Sequence, residues 1–122
     1  MEILIVDDSV IIRNKMAKLL SDIKAISKVY TSEGGHSAYE LLSKCKPELI
    51  LTDIRMPAGD GFELAQKVKS EMPQIKVIFY TSYDFEEFRD KAKKIGVDHF
   101  FNKWKETKNL ISTIVDISNG NI

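Results

Sequence analysis

This sequence has little of several features that would assign it to a special class of protein. Its one cysteine, Cys45, rules out an internal disulfide and leaves a zinc site with too few sulfur ligands. The apolar run near its start, at residues 3–6, has four residues and no basic preamble, which argues against a signal peptide and a membrane span. Neither sign of charge is in excess, because 18 Lys and Arg balance 18 Asp and Glu. We therefore expect a cytoplasmic protein without a membrane contact or a direct nucleic-acid contact.

What is present is an ordinary globular composition. Hydrophobic residues make up 43% of the 122 residues and charged residues 30%, which suits one domain with a buried core. The last residues, from Ser118 onward, read SNGNI and have the composition of a linker. We expect the domain to cover residues 1–118 and a frayed tail to cover residues 119–122.

Short β-branched runs alternate with longer runs of helical period along the chain. The strands are expected at residues 2–6, 28–32, 48–52, 76–80 and 97–101. The helices are expected at about 10–23, 37–44, 61–71, 85–95 and 106–117. Ser9, Asp60 and Asp84 are candidate N-caps, and Gly96 is expected to close the fourth helix.

The alternation of strands and helices predicts an α/β fold. Strands that are apolar on both faces require a parallel sheet that is covered by helices on each side, with right-handed crossovers. Five strands are too few for an eight-stranded barrel, so we expect a doubly wound (βα)5, flavodoxin-like sheet with the order 2-1-3-4-5. In such a sheet the ligand site lies beyond the carboxyl ends of the first and third strands.

Three acidic side chains occupy that predicted edge. Asp7 and Asp8 follow the first strand, and Asp53 follows the third. At about 4 Å and an effective dielectric of about 20, each pair of like charges costs roughly 4 kcal/mol, so a compensating cation is required. Oxygen ligands that are few in number and open to water favour Mg²⁺ over Zn²⁺ or Ca²⁺.

The fourth and fifth strands end in further polar groups. Thr81 provides a hydroxyl and Lys103 an ammonium at the same edge. A carboxylate such as Asp53 can accept a phosphoryl group when a metal and an ammonium absorb the charge on the equatorial oxygens. Each residue alone also has a structural explanation, as an N-cap, a turn residue or a solvated lysine, and it is their coincidence at one edge that favours phosphoryl chemistry.

Four motifs in this order resemble the receiver domain of two-component response regulators. They are LIVDDS, LILTDIRMPAGDG, VIFYTS and HFFNK, and the resemblance covers residues 2–117. The resemblance implies that Asp53 is phosphorylated by a sensor histidine kinase or a histidine phosphotransfer protein. It implies that Asp8, Asp53 and the backbone carbonyl of Arg55 bind Mg²⁺, and that Asp7 orients the metal through water.

The same resemblance assigns the remaining residues. Thr81 would hydrogen-bond the phosphoryl group, Lys103 would pair with it, and Phe100 would be the aromatic switch that reshapes the surface of helix four, strand five and helix five. The family usually has a proline after the lysine, often with a cis bond, whereas Trp104 stands here. Arg55 and Tyr83 lie two positions beyond Asp53 and Thr81, where their bulk is expected to slow hydrolysis of the phosphoryl group.

The resemblance implies a signalling domain that phosphorylates and dephosphorylates itself and is not a turnover enzyme. Its output would be a downstream protein target or an effector domain removed from this chain. One alternative is an interaction module of the same fold that works without phosphorylation. A flavin-binding electron carrier would need a phosphate loop of Ser, Thr and Gly after the first strand, where this chain has Asp7 and Asp8.

Overall fold

The computed structural model describes residues 1–120, and the last two residues of the expected tail, 121–122, lie outside the described residues. Five strands and five helices alternate in the order β1 (Glu2–Val6), α1 (Val10–Ser21), β2 (Lys28–Ser32), α2 (Gly35–Leu41), β3 (Leu49–Thr52), α3 (Gly61–Glu71), β4 (Lys76–Thr81), α4 (Glu86–Ile95), β5 (His99–Asn102) and α5 (Thr107–Ser118). The strands form one sheet in the order β2-β1-β3-β4-β5, and all four pairings are parallel. The predicted fold and strand order are confirmed.

Side chains of the central strands point alternately into two hydrophobic cores, one on each face of the sheet. Ile3 and Ile5 of β1 pack with α1 and α5, whereas Leu4 and Val6 pack with α2, α3 and α4. This alternation follows from the two-residue period of a strand. Both faces are therefore covered, which explains why β1 and β3 are nearly continuous apolar runs.

Three of the four predicted capping residues are confirmed. Ser9 accepts a hydrogen bond from the backbone N–H of Ile12, and Asp60 accepts one from Glu63. Gly96 has φ of 97° and ends α4 in the left-handed conformation. Not every apolar residue of α1 faces the core: Met16 and Leu20 are buried, whereas Ile11 is 79% exposed.

Several predicted boundaries are wrong by one to three residues, and contacts with distant or adjoining residues explain three of them. α4 begins at Glu86 without a side-chain cap, because Asp84 is engaged by Arg89 instead. α2 spans Gly35–Leu41 and not residues 37–44, since the first N–H groups of the helix donate to backbone carbonyls of the β3–α3 loop. β5 begins at His99 and not at residue 97, because the N–H of Val97 still closes the end of α4.

The carboxyl end of the sheet is shaped by one close approach of two backbones. A Cβ atom added to Gly61 would overlap the carbonyl oxygen of Asp53 and lie 3.0 Å from the Cα atom of Ile54. Only glycine therefore lets the first turn of α3 pack against the end of β3.

Backbone hydrogen bonds continue for two residues beyond the end of α5. Asn119 and Gly120 donate backbone hydrogen bonds to the last turn of α5. Among the described helices, none combines the length and the apolar content that crossing a bilayer requires.

Candidate functional site

The acidic residues after β1 and β3 come together at the carboxyl edge of the sheet. Val6 is aligned with Thr52 in the parallel ladder, so Asp7 and Asp53 leave their strands side by side. One carboxylate oxygen from each of Asp7, Asp8 and Asp53 lies within 4.8 Å of the others. Asp7 and Asp53 are 3% and 6% exposed, whereas Asp8 is open to solvent. The cluster consists of hard oxygen donors with one open side, which fits the ligand preference of Mg²⁺.

The Lys103 ammonium lies between two of these acids. Its Nζ atom is 2.7 Å from Oδ2 of Asp7 and 2.7 Å from Oδ2 of Asp53. Burial tends to lower the pKa of Lys103, but the hydrogen bonds to Asp53 and Asp7 and the negative charges of these two acids together outweigh it and raise this pKa. Burial raises the pKa of the Asp7 carboxyl more than Lys103 lowers it. One ammonium against three carboxylates leaves the cluster open to a further cation.

Backbone N–H groups hold the two buried carboxylates in place. Oδ1 of Asp53 accepts a hydrogen bond of 2.7 Å from the N–H of Ile54. Oδ1 of Asp7 accepts one of 2.9 Å from the N–H of Ser9. In both residues Oδ1 is therefore fixed by the backbone while Oδ2 faces Lys103, so the acids are oriented before any ligand arrives.

Thr81 lies at the end of β4 and is fully buried. Its Oγ1 atom accepts a hydrogen bond of 3.1 Å from the N–H of Tyr83, and its carbonyl accepts one of 3.0 Å from the N–H of Lys103. Within residues 1–120, no hydrogen bond joins its hydroxyl to Asp53. The structure thus ties Thr81 to Lys103 through the backbone and leaves its hydroxyl outside the acid–lysine cluster.

Phe100 packs beneath a charged side chain of α4. Its ring meets that of Phe79 edge-on at a centroid distance of 6.1 Å, and the Arg89 guanidinium lies 4.5 Å from the centroid of Phe100. The Phe100 ring is half-buried in this position. A rotation of this ring would require Arg89 to move.

Arg55 and Tyr83, the two residues expected to flank Asp53, contact each other. The Arg55 guanidinium lies 6.0 Å from the Tyr83 ring centroid and 5.3 Å from that of Phe88. The β3–α3 and β4–α4 loops are thereby joined next to the acid cluster.

The loop that follows Lys103 contains only trans peptide bonds, as does the rest of the described chain. The N–H of Trp104 donates a hydrogen bond of 2.8 Å to Oδ1 of Asn102, and the Trp104 residue is 77% exposed. Sequence reasoning missed Asn102, although an Asn at the start of a turn commonly accepts a hydrogen bond from the backbone N–H two residues on.

The comparisons with known proteins agree with this fold. The family profile described as the response regulator receiver domain matches residues 3–115. The chain is 32% identical over 117 residues to YesN of Bacillus subtilis, named an uncharacterized transcriptional regulatory protein, covering 95% of this chain and 32% of YesN. It is 33% identical over 113 residues to the response regulator protein VraR of Staphylococcus saprophyticus, covering 93% of this chain and 54% of VraR.

A solved structure of the two-component response regulator RcsB in complex with DNA has the same fold. It superposes with a TM-score of 0.89 at 22% identity, over 98% of this chain and 61% of the RcsB chain. The chain thus spans about a third of YesN and about half of VraR.

The expectation of no direct nucleic-acid contact is wrong. The RcsB structure that this chain matches is a DNA complex, and the YesN relative is named as a transcriptional regulatory protein. The expectation failed because it used the charge balance of a chain that covers only part of such proteins. The balanced charge of this chain carries no information about the charge of those parts of the relatives that this chain does not cover.

The profile match covers most of the chain, and VraR is itself named a response regulator protein. The sequence resemblance depended on four motifs, two of which contain the acids that lie beyond β1 and β3. The chain belongs to the response regulator receiver domain family.

Proposed function

We propose that Asp53 accepts a phosphoryl group and that the phosphorylated state is the signal. The observation that carries this proposal is the buried Asp53 carboxylate, whose Oδ2 atom lies 2.7 Å from Lys103 Nζ beside two further carboxylates. In the transfer, an Asp53 oxygen attacks phosphorus while the bond from phosphorus to the imidazole nitrogen of the donor breaks. The donor is the phosphohistidine of a sensor histidine kinase or of a histidine phosphotransfer protein, and its imidazole leaves with the electron pair.

Different residues around Asp53 would stabilise the negative charge of the incoming phosphoryl group. Lys103 is already positioned to pair with an oxygen of the incoming group, and Thr81 supplies a hydroxyl to another oxygen once its bond to the Tyr83 N–H is released. Asp8, Asp53 and the backbone carbonyl of Arg55 would hold Mg²⁺, with Asp7 acting through water. When bound, Mg²⁺ neutralises charge on the phosphoryl oxygens.

The signal leaves the site through Thr81 and Phe100. Movement of Thr81 toward the phosphoryl group vacates space that the Phe100 ring can enter, which alters the surface formed by α4, β5 and α5. The contact between Arg89 and Phe100 supports this route, because rotation of the ring displaces a charged residue of α4. We further propose that the signal regulates transcription, as the name of YesN indicates for that protein. It would do so in the cytoplasm, as a signal and not as enzymatic turnover.

Acetyl phosphate with Mg²⁺ tests the proposal directly. Intact-protein mass spectrometry is expected to show one added phosphoryl group in the natural chain and none in Asp53→Asn. Asp60→Asn is the matched control, because Asp60 caps α3 on the exposed side of the same loop. Phosphorylation that persists in Asp53→Asn would reject Asp53 as the acceptor.

One observation favours the alternative of an interaction module that works without phosphorylation. Lys103 pairs with both buried acids, so part of their charge is already compensated without a phosphoryl group. Partner binding that is the same for the natural chain, for Asp53→Asn and for the chain with a beryllium fluoride mimic would support this alternative over phosphorylation.

A further inference from the structure

The loop that carries Lys103 has an N–H group at the position where a proline ring would leave none. That N–H belongs to Trp104, and a loop without a proline also lacks the fixed φ that proline imposes. The lysine side chain is long and has many rotamers, so its backbone must be held if its ammonium is to stay between two carboxylates. Some other group in this chain has to supply the constraint.

The Asn102 side chain supplies it. Its Oδ1 atom accepts a hydrogen bond of 2.8 Å from the N–H of Trp104 and one of 3.2 Å from the N–H of Lys105. Its Nδ2 atom donates a bond of 3.1 Å to Oδ2 of Asp84 on the β4–α4 loop. Asn102 is 8% exposed, so both ends of its amide are used inside the protein.

Asn102 is in turn part of a closed ring of polar groups. The Arg89 guanidinium bonds Oδ1 and Oδ2 of Asp84 at 2.6 Å and 3.1 Å, and it bonds Oε1 of Glu106 at 3.1 Å. The same Glu106 oxygen accepts a hydrogen bond of 3.0 Å from the backbone N–H of Asn102. The ring joins the loop after Thr81, the helix α4, the end of β5 and the residue before α5.

We propose that Asn102 is a positioning residue for Lys103, and that the Arg89–Asp84–Glu106 ring holds Asn102 in place. The significance of Lys103 rests on the function proposed above. The hydrogen bonds at Asn102 fix the turn immediately after Lys103, while the bond from the Lys103 N–H to the Thr81 carbonyl fixes the residue itself. The Lys103 ammonium therefore leaves the backbone in one direction, toward Asp7 and Asp53.

The first test is made without metal or phosphodonor. In ¹⁵N-labelled protein, the Lys103 ammonium resonance is expected to be observable because two carboxylates hold it, and to broaden in Asn102→Ala. Asn102→Ser keeps an acceptor for the Trp104 N–H and is expected to restore the resonance. Lys108→Ala, on an exposed position of α5, is the control that leaves it unchanged.

The second test measures the Mg²⁺ dissociation constant by calorimetry on the unphosphorylated chain. Lys103→Ala is expected to bind Mg²⁺ more tightly, because an ammonium no longer competes for two of the carboxylates. Asn102→Ala is expected to change in the same direction by about five-fold, which equals the net worth of one of the three hydrogen bonds that the Asn102 side chain makes. Arg89→Gln, a surface substitution that opens the ring, is expected to give a smaller shift of the same sign.

Each result bears on the proposal. A sharp Lys103 resonance in Asn102→Ala, or weaker Mg²⁺ binding in this variant, overturns the role of Asn102. An unchanged Arg89→Gln variant overturns the role of the ring. If Asn102→Ala does not fold, the Lys103 resonance and the Mg²⁺ affinity of Arg89→Gln and Asn102→Ser still test the proposal. A natural chain that resists phosphorylation while the resonance responds as expected would reject the proposed function and leave this inference standing.

Discussion

Replacement of Lys103 by methionine tests the electrostatics of the site most directly. The oxygens of Asp7 and Asp53 lie within 4.8 Å of each other. At an effective dielectric of about 20, their repulsion amounts to roughly 3.5 kcal/mol. This value agrees with the ~3–5 kcal/mol that loss of one partner from a buried ion pair usually costs. We expect Lys103→Met to lower the free energy of unfolding by about 3 kcal/mol at neutral pH in the absence of divalent ions.

Mg²⁺ is expected to reverse much of this loss. A ligand present at a hundred times its dissociation constant stabilises the folded state by about 2.7 kcal/mol. In the natural chain the Lys103 ammonium competes with the metal for Asp7 and Asp53, so the same Mg²⁺ concentration stabilises it less. Urea unfolding with chelator and with Mg²⁺, compared with Lys108→Met on exposed α5, provides the measurement.

The pH dependence of the unfolding free energy of Lys103→Met provides a second, independent test. Without Lys103, burial and Asp53 both raise the pKa of Asp7 in the folded state, and a raised carboxyl pKa destabilises the fold as pH rises from the ordinary aspartate value through the folded one. The deficit of Lys103→Met should therefore shrink on acidification. Two results would refute this reasoning. One is a loss of unfolding free energy in Lys103→Met below about 1 kcal/mol, far less than a broken buried pair costs. The other is equal stabilisation of Lys103→Met and the natural chain by Mg²⁺.

Three further predictions concern residues around the site. Gly61→Ala is expected to lower the free energy of unfolding by about 1–3 kcal/mol in urea and to slow phosphorylation, because its Cβ overlaps the Asp53 carbonyl and the backbone must move. A variant with the stability and the phosphorylation rate of the natural chain would contradict this prediction. The hydrogen bond from Arg89 lowers the pKa of Asp84, so the stability it adds is present above pH ~4 and is lost as pH falls through the folded pKa. The stability gap between the natural chain and Arg89→Gln should close on acidification, and a gap that is constant with pH would contradict the assignment. Tyr83→Ala is expected to shorten the lifetime of the phosphorylated state, measured by loss of label after the donor is removed, and an unchanged lifetime would count against a shielding role.

The amino-acid sequence by itself determined the architecture and the edge at which the site lies. The strands β1 and β2 have the predicted bounds, Glu2–Val6 and Lys28–Ser32, and the other three differ by at most two residues at either end. This success has a physical cause, because apolar period and β-branched content are local properties that decide between strand and helix. Right-handed crossovers then leave few ways to arrange five parallel strands, and in each of them the residues that follow the strands lie at one edge of the sheet. In the order 2-1-3-4-5 the strands β1 and β3 are neighbours, so the residues after them meet.

Tertiary structure alone decided which groups meet within that edge. Lys103 pairs with Asp7 and Asp53, residues far away in sequence, and the choice depends on a loop whose shape is set by Asn102. Asp84 was a reasonable N-cap from its position in the chain, yet Arg89 binds it instead. Such partnerships depend on distances between side chains of different elements, which no local pattern encodes, and so they appear only when the chain is folded.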